Sequence, residues 1–153
     1  MRAPVVVAAM ALVGAWMLIG CGKSPTAPPP PTLPPGAIAE VEPNDPTPQA
    51  LGVLDTADVV IGGTASGRAD VDYYTVVLST SGSIYTSLSW TGSLPDLEVG
   101  VANGAGIMIH NQDSPAANPE ACTVTGLGPG TYRVRVGTRT AANTFYLLTI
   151  GRR

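Results

Sequence analysis

Gly130-Thr131-Tyr132-Arg133-Val134-Arg135-Val136, at residues 130–136, is the stretch that decides the fold class. After its first two residues, apolar and basic side chains alternate without a break. Successive side chains of an extended chain point to opposite faces, so the three apolar residues share one face and the two arginines share the other. The segment therefore predicts a β-strand with one face in a core and one face in solvent.

The same alternation recurs along the chain on both sides of this strand. Turn-forming pairs such as Ser81-Gly82 and Asn103-Gly104 separate the alternating runs. Beyond Tyr132–Val136, the pattern predicts strands at Val59–Ile61, Asp72–Ser79, Ser83–Trp90, Leu97–Val101, Ile107–His110, Ala121–Thr125 and Tyr146–Ile150. Residues 37–153 are therefore predicted to be all-β, forming an antiparallel two-sheet β-sandwich, or jelly roll, of about eight strands.

The composition excludes several classes of protein. The 153-residue chain has 8 basic and 11 acidic side chains and a net charge of −3. It therefore lacks the positive surface that binding to nucleic-acid phosphates requires. Glycine has no period of three and no heptads are visible, which excludes collagen-like and coiled-coil chains. We expect a monomeric domain that does not bind nucleic acid.

The first twenty residues resemble the signal peptide of a bacterial lipoprotein. A positive charge at Arg2 precedes an apolar run, Val5 to Ile19, that is short for a membrane span. The run ends in Leu18-Ile19-Gly20-Cys21, which resembles a lipobox. This resemblance implies cleavage before Cys21 and a lipid on its thiol that anchors the chain to the membrane of the cell envelope. A plain N-terminal membrane anchor with a chance cysteine is the alternative.

Two neighbouring features complete this part of the sequence. Gly22 stands where an aspartate often marks inner-membrane retention, so it favours the outer membrane in a cell with two membranes. Residues 22–36 contain seven prolines in fifteen positions, which predicts a polyproline II tether or, alternatively, a ligand for a proline-recognising partner. The predicted organisation is a signal peptide at 1–20, a lipidated cysteine and linker at 21–36, and a folded domain at 37–153. Since lipid occupies Cys21, we expect Cys122 to be a free, buried thiol.

Four motifs stand in order along the predicted domain. They are Glu40-Val41-Glu42-Pro43-Asn44-Asp45; Gly62-Gly63 followed by Val71-Asp72-Tyr73-Tyr74; Asp96-Leu97-Glu98-Val99; and Gly128-Pro129-Gly130-Thr131-Tyr132-Arg133-Val134 with a closing Tyr146-Leu147-Leu148. Together they resemble the bacterial pre-peptidase C-terminal domain, a jelly-roll sandwich, over about residues 38–151. The collagen-binding domains of bacterial collagenases are similar to it. The resemblance implies a non-catalytic accessory domain that serves substrate targeting, secretion or maturation of an enzyme.

Acidic residues concentrate at the start of the domain, where seven of the eleven lie between positions 40 and 72. In extended segments Glu40, Glu42 and Asn44 share one face, and Asp70 and Asp72 share another. If the first segment crosses the second, their oxygens converge, and oxygen ligands at this density suit Ca²⁺. The collagen-binding relatives bind calcium through a matching segment, so the resemblance implies calcium at Glu40, Glu42, Asn44 and Asp72.

Two alternatives stay open for this acidic segment. Asp70 is a further candidate ligand, but the relatives' other metal-binding aspartate aligns with Ala69 rather than with Asp70. The alternative to a calcium site is that the whole segment is a solvated acidic surface. It would then have a turn at Glu-Pro-Asn-Asp in which Asn44 or Asp45 bonds to nearby backbone amides.

The remaining candidates concern ligand binding and catalysis. Four residues expected to face outward form the candidate ligand-binding set: Tyr73, Tyr85, Arg133 and Arg135. A single histidine, His110, and no Gly-x-Ser-x-Gly motif give no indication of catalysis. We therefore predict a non-catalytic, lipid-anchored envelope domain, stabilised by Ca²⁺, that recognises an extracellular polysaccharide or protein. A structural or chaperone-like partner of a separately encoded secreted peptidase is the alternative, and an enzyme ranks last.

Overall fold

The computed structural model describes residues 31–45, 47–93, 95–114, 117–140 and 143–153. These residues form ten β-strands and contain no helix. The strands are β1 Ile38–Ala39, β2 Gln49–Val53, β3 Val59–Ala65, β4 Val71–Leu78, β5 Gly82–Trp90, β6 Leu97–Asn103, β7 Met108–Gln112, β8 Glu120–Leu127, β9 Gly130–Thr138 and β10 Thr144–Arg152. The predicted signal peptide and the lipidation site at Cys21 lie outside the described residues. Within the described part of the chain, no helix is long and apolar enough to span a membrane.

The strands form two sheets of five, which confirms the predicted all-β sandwich. One sheet, here called sheet A, has the order β1-β3-β10-β5-β8, and the other, sheet B, has the order β2-β4-β9-β6-β7. The edge strands β7 and β8 contact each other, so they lie on one side of the sandwich and β1 and β2 lie on the other. This arrangement leaves two sides on which a loop can join one sheet to the other.

The number of strands and their direction differ from the prediction at one side. The two additional strands, β1 and β2, pair in parallel with β3 and β4, whereas the remaining pairs are antiparallel. β1 has only two residues, and β2 contains a register shift between Ala50 and Gly52. Such short or bulged edge strands lack sustained alternation, which is why the sequence pattern predicts about eight strands rather than ten.

The core lies between the sheets and consists of the inward faces that the alternation predicts. Its buried members from β4, β9 and β10 are Tyr74, Val76 and Leu78; Tyr132, Val134 and Val136; and Tyr146, Leu148 and Ile150. Burial of each large apolar side chain contributes about 1.5–3 kcal/mol relative to exposure. This core holds the ends of the central strands rigidly, and polar side chains at those ends are therefore fixed in position.

β6 departs from the predicted alternation, because Glu98 and Gly100 on its outer face are also buried. Long side chains from both flanking strands cover this face. Arg135 of β9 donates to Glu98 at 2.5 Å, and Asn111 of β7 donates to the other carboxylate oxygen at 3.2 Å. A Cβ on Gly100 would lie 2.9 Å from the sulfur of Met108, which shows how closely the Met108 side chain covers this face. The coverage comes from neighbouring strands, which the pattern of a single strand does not reveal.

The last residues of the predicted linker pack on the folded domain. The amide of Ala37 donates to the carbonyl of Pro34 at 3.0 Å, closing a turn in which Gly36 has a φ of 81°. Leu33 is half-buried, and its side chain occupies the space above Gly62 that a Cβ would fill, beside the ring of Phe145. The end of the predicted linker therefore contacts the folded domain rather than standing clear of it.

Candidate metal centre

The connection between β1 and β2 carries Glu40, Glu42 and Asn44 across the sandwich to Asp72 at the start of β4. We call these four residues the N-terminal centre. The amide of Glu40 donates to the carbonyl of Gly62 at 3.0 Å, which holds the connection beside β3. The amide of Asn44 donates to the Glu42 carboxylate at 2.9 Å, so the loop is folded back on itself. The four residues are therefore brought together, as the predicted crossing of the two segments requires.

Glu40 occupies the middle of this group. One of its carboxylate oxygens accepts from the amide of Thr64 at 2.8 Å. The other accepts from the side-chain amide of Asn44 at 3.0 Å and from the hydroxyl groups of Tyr74 and Tyr146 at 2.9 and 2.8 Å. Because the donors come from β3, β4, β10 and the β1–β2 connection, Glu40 links both sheets.

Two buried oxygens of the centre lack a hydrogen-bond partner. Asp72 is 1% exposed, and its Oδ2 accepts from Tyr146 at 2.6 Å while its Oδ1 accepts from no group. Asn44 is fully buried, and its Oδ1 is also without a donor. A buried polar atom without a partner costs about 1–3 kcal/mol, and more when it is charged. Both oxygens are therefore acceptors that a positive group would satisfy.

The hydroxyl groups also supply too few protons for the contacts they make. Tyr74 and Tyr146 each carry one proton, yet they make contacts with Glu40, with Asp72 and, at 2.5 Å, with each other. A phenol donates one hydrogen bond, so two protons serve only two of these four contacts. In the two contacts that lack a proton, oxygen lone pairs face each other. This arrangement favours a bound cation or an additional proton.

The raised pKa values of two carboxyl groups in the centre also favour a bound positive charge. Burial, together with the nearby charges of Glu40 and Asp70, raises the pKa of Asp72 to about 8, although the hydrogen bond from Tyr146 opposes this shift. Burial also raises the pKa of Glu42, with the charges of Glu40 and Asp70 adding to the effect. A site that disfavours uncompensated negative charge in this way favours any ligand that brings positive charge.

The donor set fits a hard divalent cation. One oxygen each of Glu40, Glu42 and Asp72 lies within 4.8 Å of the others, and Asp72 forms a second such group with Asp45 and Asp70. Ca²⁺ takes six to eight oxygen ligands from carboxylates, amide oxygens and water, in flexible geometry. The unpaired Oδ1 atoms of Asn44 and Asp72 belong to the same chemical class. The residues present therefore suit calcium.

Asp70 is less available than the other predicted ligands. Its Oδ2 accepts hydrogen bonds from the amide and, at 2.6 Å, from the hydroxyl of Ser66, and its own amide donates to Gly67 at 3.0 Å. These bonds close the turn between β3 and β4. Ala69, the position at which the relatives have an aspartate, is exposed.

Sequence reasoning did not assign four participants to this centre: Asp45, Gly63, Tyr74 and Tyr146. The two tyrosines follow the alternation of core residues, and only the packing brings their hydroxyl groups to the carboxylates. A Cβ on Gly63 would lie 2.5 Å from the Tyr146 hydroxyl and 2.8 Å from a Glu40 oxygen. Glycine is therefore required here, and the Gly62-Gly63 pair was the available signal.

The predicted ligand-binding residues divide between two faces. Tyr73 pairs with Arg135 across β4 and β9, and Arg133 lies two residues away on the same outer face of sheet B. Tyr85 is on β5 of sheet A, where the Arg153 guanidinium lies 4.7 Å from the centre of its ring. Three residues of the predicted set therefore share one surface, and Tyr85 lies on the other sheet.

Other candidates from the sequence have ordinary surroundings. His110 is exposed on the edge strand β7. Cys122 is half-buried on β8, 3.1 Å from the Thr86 hydroxyl, and burial raises the pKa of its thiol. A raised pKa keeps a thiol protonated and unreactive near neutral pH, although Cys122 is half-buried rather than buried as predicted.

Comparison with known families agrees with the resemblance seen in the motifs. Residues 70–138, which run from just before β4 to the end of β9, match the family described as the bacterial pre-peptidase C-terminal domain. No curated protein matches the sequence.

Comparison with solved structures supports the fold. The pre-peptidase C-terminal domain of a collagenase from Bacillus anthracis is 15% identical, with 78% of this chain and 99% of that chain covered and a TM-score of 0.54. The periplasmic g-type lysozyme inhibitor PliG from Aeromonas hydrophila is 17% identical, covering 69% of this chain and 98% of that one at a TM-score of 0.47. The Yersinia pseudotuberculosis-derived mitogen is 14% identical, covering 65% and 88% at a TM-score of 0.48. At this low identity, the match to the collagenase domain shows a similar fold and nothing more.

Proposed function

We propose that this protein is a non-catalytic accessory domain, held at the cell envelope by lipid on Cys21, that recognises an extracellular polymer or protein and is stabilised by Ca²⁺. The single observation that carries the accessory role is the match of residues 70–138 to the pre-peptidase C-terminal domain. A sandwich of this kind presents two outer sheet faces without needing a cleft, which suits the recognition of extended or flat partners.

Calcium in this proposal has a structural role at the N-terminal centre. Glu40, Glu42, Asn44 and Asp72 would hold the ion, with Asp45 and Asp70 near enough to contribute. The ion supplies positive charge to buried oxygens that otherwise lack partners. It would thereby fix the β1–β2 connection onto β4, to which Glu40 is otherwise attached through the hydrogen bond from Tyr74.

The outer face of sheet B is the proposed binding surface. Tyr73, Arg133 and Arg135 lie together there, and tyrosine and arginine are the residues that contribute most to binding at interfaces. A cavity of about 370 Å³ lined by Arg68, Glu98, Arg135, Thr138 and Arg139 continues this surface. Three guanidinium groups around one carboxylate favour a partner with carboxylate, sulfate or phosphate groups.

The second candidate function, a structural partner of a separately encoded peptidase, is favoured by the same family match. The two functions predict different partners.

Binding to immobilised collagen, cell-wall glycans and acidic polysaccharides tests the proposed surface. We expect the wild-type protein to be retained on one of these matrices and the Tyr73→Ala/Arg133→Ala variant to lose at least tenfold in affinity. The Tyr85→Ala/Arg152→Ala variant removes the same residue types from sheet A and serves as the matched control. Equal loss in both variants, or no retention on any matrix, contradicts the proposed surface. Recovery of a secreted peptidase with the protein from native cells would instead support the second function.

A further inference from the structure

A second group of carboxylates lies on the other side of the sandwich, at Asp96, Asp113 and Glu120. We call these three residues the β7–β8 cluster. Asp96 immediately precedes β6, Asp113 immediately follows β7, and Glu120 is the first residue of β8. One oxygen from each residue lies within 4.8 Å of the others. The cluster therefore joins β6 and β7 of sheet B to the edge strand of sheet A.

Two of these carboxylates are incompletely satisfied. Glu120 is 1% exposed; its Oε1 accepts from the amide of Ser114, while its Oε2 has no hydrogen-bond partner. Oδ1 of Asp96 is likewise buried and without a partner. Since an ionised carboxylate buried without compensation is strongly unfavourable, the cluster in this form requires a positive group.

Nearby cations do not supply that group. Arg139 contacts the carboxylate of Asp113 and lies 3.0 Å from an oxygen of Glu98, and its side chain is 54% exposed. Among the described residues, no arginine or lysine forms an ion pair with Asp96 or Glu120. Arg139 thus compensates the outer carboxylate and leaves the two inner ones uncompensated.

We propose that the β7–β8 cluster is a second divalent-cation site, with Asp96, Asp113 and Glu120 binding a hard, oxygen-preferring ion of the Ca²⁺ class. All three side chains supply oxygen, which is the donor that such ions select. The bound ion links the two edge strands β7 and β8, whereas the N-terminal centre links the opposite side of the sandwich. The competing occupant is a proton, because burial raises the pKa of Glu120 to about 7.

Calorimetric titration of the EDTA-treated, dialysed protein with Ca²⁺ at slightly alkaline pH tests this site. We expect two ions per chain in the wild type and loss of one ion in Glu120→Gln, in which the acceptor for the Ser114 amide is kept. Asp55→Asn, which removes the same charge at an exposed position outside both groups, should still bind two. If Glu120→Gln binds calcium with wild-type stoichiometry, the proposal of a second site is wrong.

A separate variant, Asp72→Asn, tests the N-terminal centre and so distinguishes it from the β7–β8 cluster. Loss of an ion in Asp72→Asn but not in Glu120→Gln supports only the N-terminal centre and overturns the second site. Loss in Glu120→Gln but not in Asp72→Asn supports only the second site. Should Glu120→Gln fail to fold, Asp113→Asn tests the same site at a side chain that is 29% exposed.

Terbium luminescence adds a readout that distinguishes the two positions. The indole of Trp90 donates to the carbonyl of Pro95 at 2.9 Å, directly beside Asp96, whereas the N-terminal centre is lined by tyrosines. Terbium at the β7–β8 cluster should therefore emit when tryptophan alone is excited, and Glu120→Gln or Trp90→Phe should abolish that emission. Emission that is unchanged in Glu120→Gln overturns the proposal.

Discussion

The N-terminal centre and the β7–β8 cluster lie on opposite sides of the sandwich and handle buried negative charge differently. At the N-terminal centre, neutral donors surround the carboxylates: the hydroxyl groups of Tyr74 and Tyr146 and the amide of Thr64. At the β7–β8 cluster, the neighbouring donor is a charged one, Arg139, which reaches only the outer carboxylate. The tyrosines are neutral and leave the negative charge of the N-terminal centre uncompensated, which favours a bound ion there. At the β7–β8 cluster, Arg139 instead competes with an ion for the carboxylate of Asp113.

The largest expected effect is at the N-terminal centre, in Asp72→Asn. Calcium binding only to the folded state stabilises it by about 2.7 kcal/mol at 100 times the dissociation constant. We expect calcium to raise the melting temperature of the wild type. In the variant, the part of this rise that comes from the N-terminal centre should be lost. Without calcium, the variant should be at least as stable as the wild type, because it removes an acid whose pKa is raised on folding, and such a group costs stability near neutral pH.

Differential scanning calorimetry with EDTA and with excess Ca²⁺ checks this prediction, and the exposed Asp55→Asn substitution is the control for charge. A wild-type protein that melts at the same temperature in both conditions would count against calcium at either position.

The next effect concerns the close approach that Gly63 permits. In Gly63→Ala, the new Cβ would meet the Tyr146 hydroxyl and a Glu40 oxygen, so we expect a loss of about 1–3 kcal/mol in unfolding free energy and weaker calcium binding. Gly128→Ala is the matched control, because a Cβ there has no atom within 4 Å. Urea unfolding and calcium titration measure the two quantities. Equal stability of the two variants would show that Gly63 does not position the centre.

A smaller, pH-dependent effect on stability is expected at Glu98, which forms ion pairs with Arg135 and Arg139. Burial alone raises the pKa of Glu98, but hydrogen bonds from Arg135 and Asn111 and the charges of Arg135 and Arg139 outweigh burial and lower the pKa overall. Because the pKa is lower in the folded state, the stabilisation from Glu98 is complete above the unfolded pKa and is lost as pH falls through the folded pKa. We expect Glu98→Gln to cost about 1–2 kcal/mol near neutral pH and progressively less in acid. A difference that stays constant down to the acid limit would contradict this assignment.

The smallest expected effect is a gain of affinity in Arg139→Gln. Removing the guanidinium that contacts Asp113 frees that carboxylate for an ion, so calcium should bind the β7–β8 cluster several-fold more tightly. The N-terminal centre should be unaffected in the same titration. Weaker calcium binding at the cluster in this variant would mean that Arg139 positions the carboxylates rather than competing for them.

The sequence predicts the sandwich well because its central strands alternate clearly. Tyr132–Val136 and Tyr146–Ile150 have the period of two that a half-buried strand requires, and both lie in strands with buried inward faces. β1 and β2 escape the prediction because two residues, or five with a register shift, contain too little pattern. The face of β6 is misassigned because Arg135 and Asn111 come from other strands to cover Glu98.

The two sites differ in how far the sequence reveals them. Glu40, Glu42 and Asn44 are two residues apart, and this local spacing, together with the family resemblance, predicts their convergence on Asp72. Asp96, Asp113 and Glu120 are distant in sequence, and only the contact between the edge strands β7 and β8 brings them together. Tyr146 also illustrates the limit, since its alternation marks it as a core residue and gives no sign that its hydroxyl reaches Glu40 and Asp72.

A crystal structure of the protein grown with Ca²⁺ tests the central claim most directly. The account predicts an ion at the N-terminal centre, identified by its anomalous signal, with oxygens of Glu40, Glu42, Asn44 and Asp72 at about 2.3–2.6 Å. Crystals in excess calcium in which Oδ1 of Asn44 and Oδ1 of Asp72 contact only water or protein donors would contradict it.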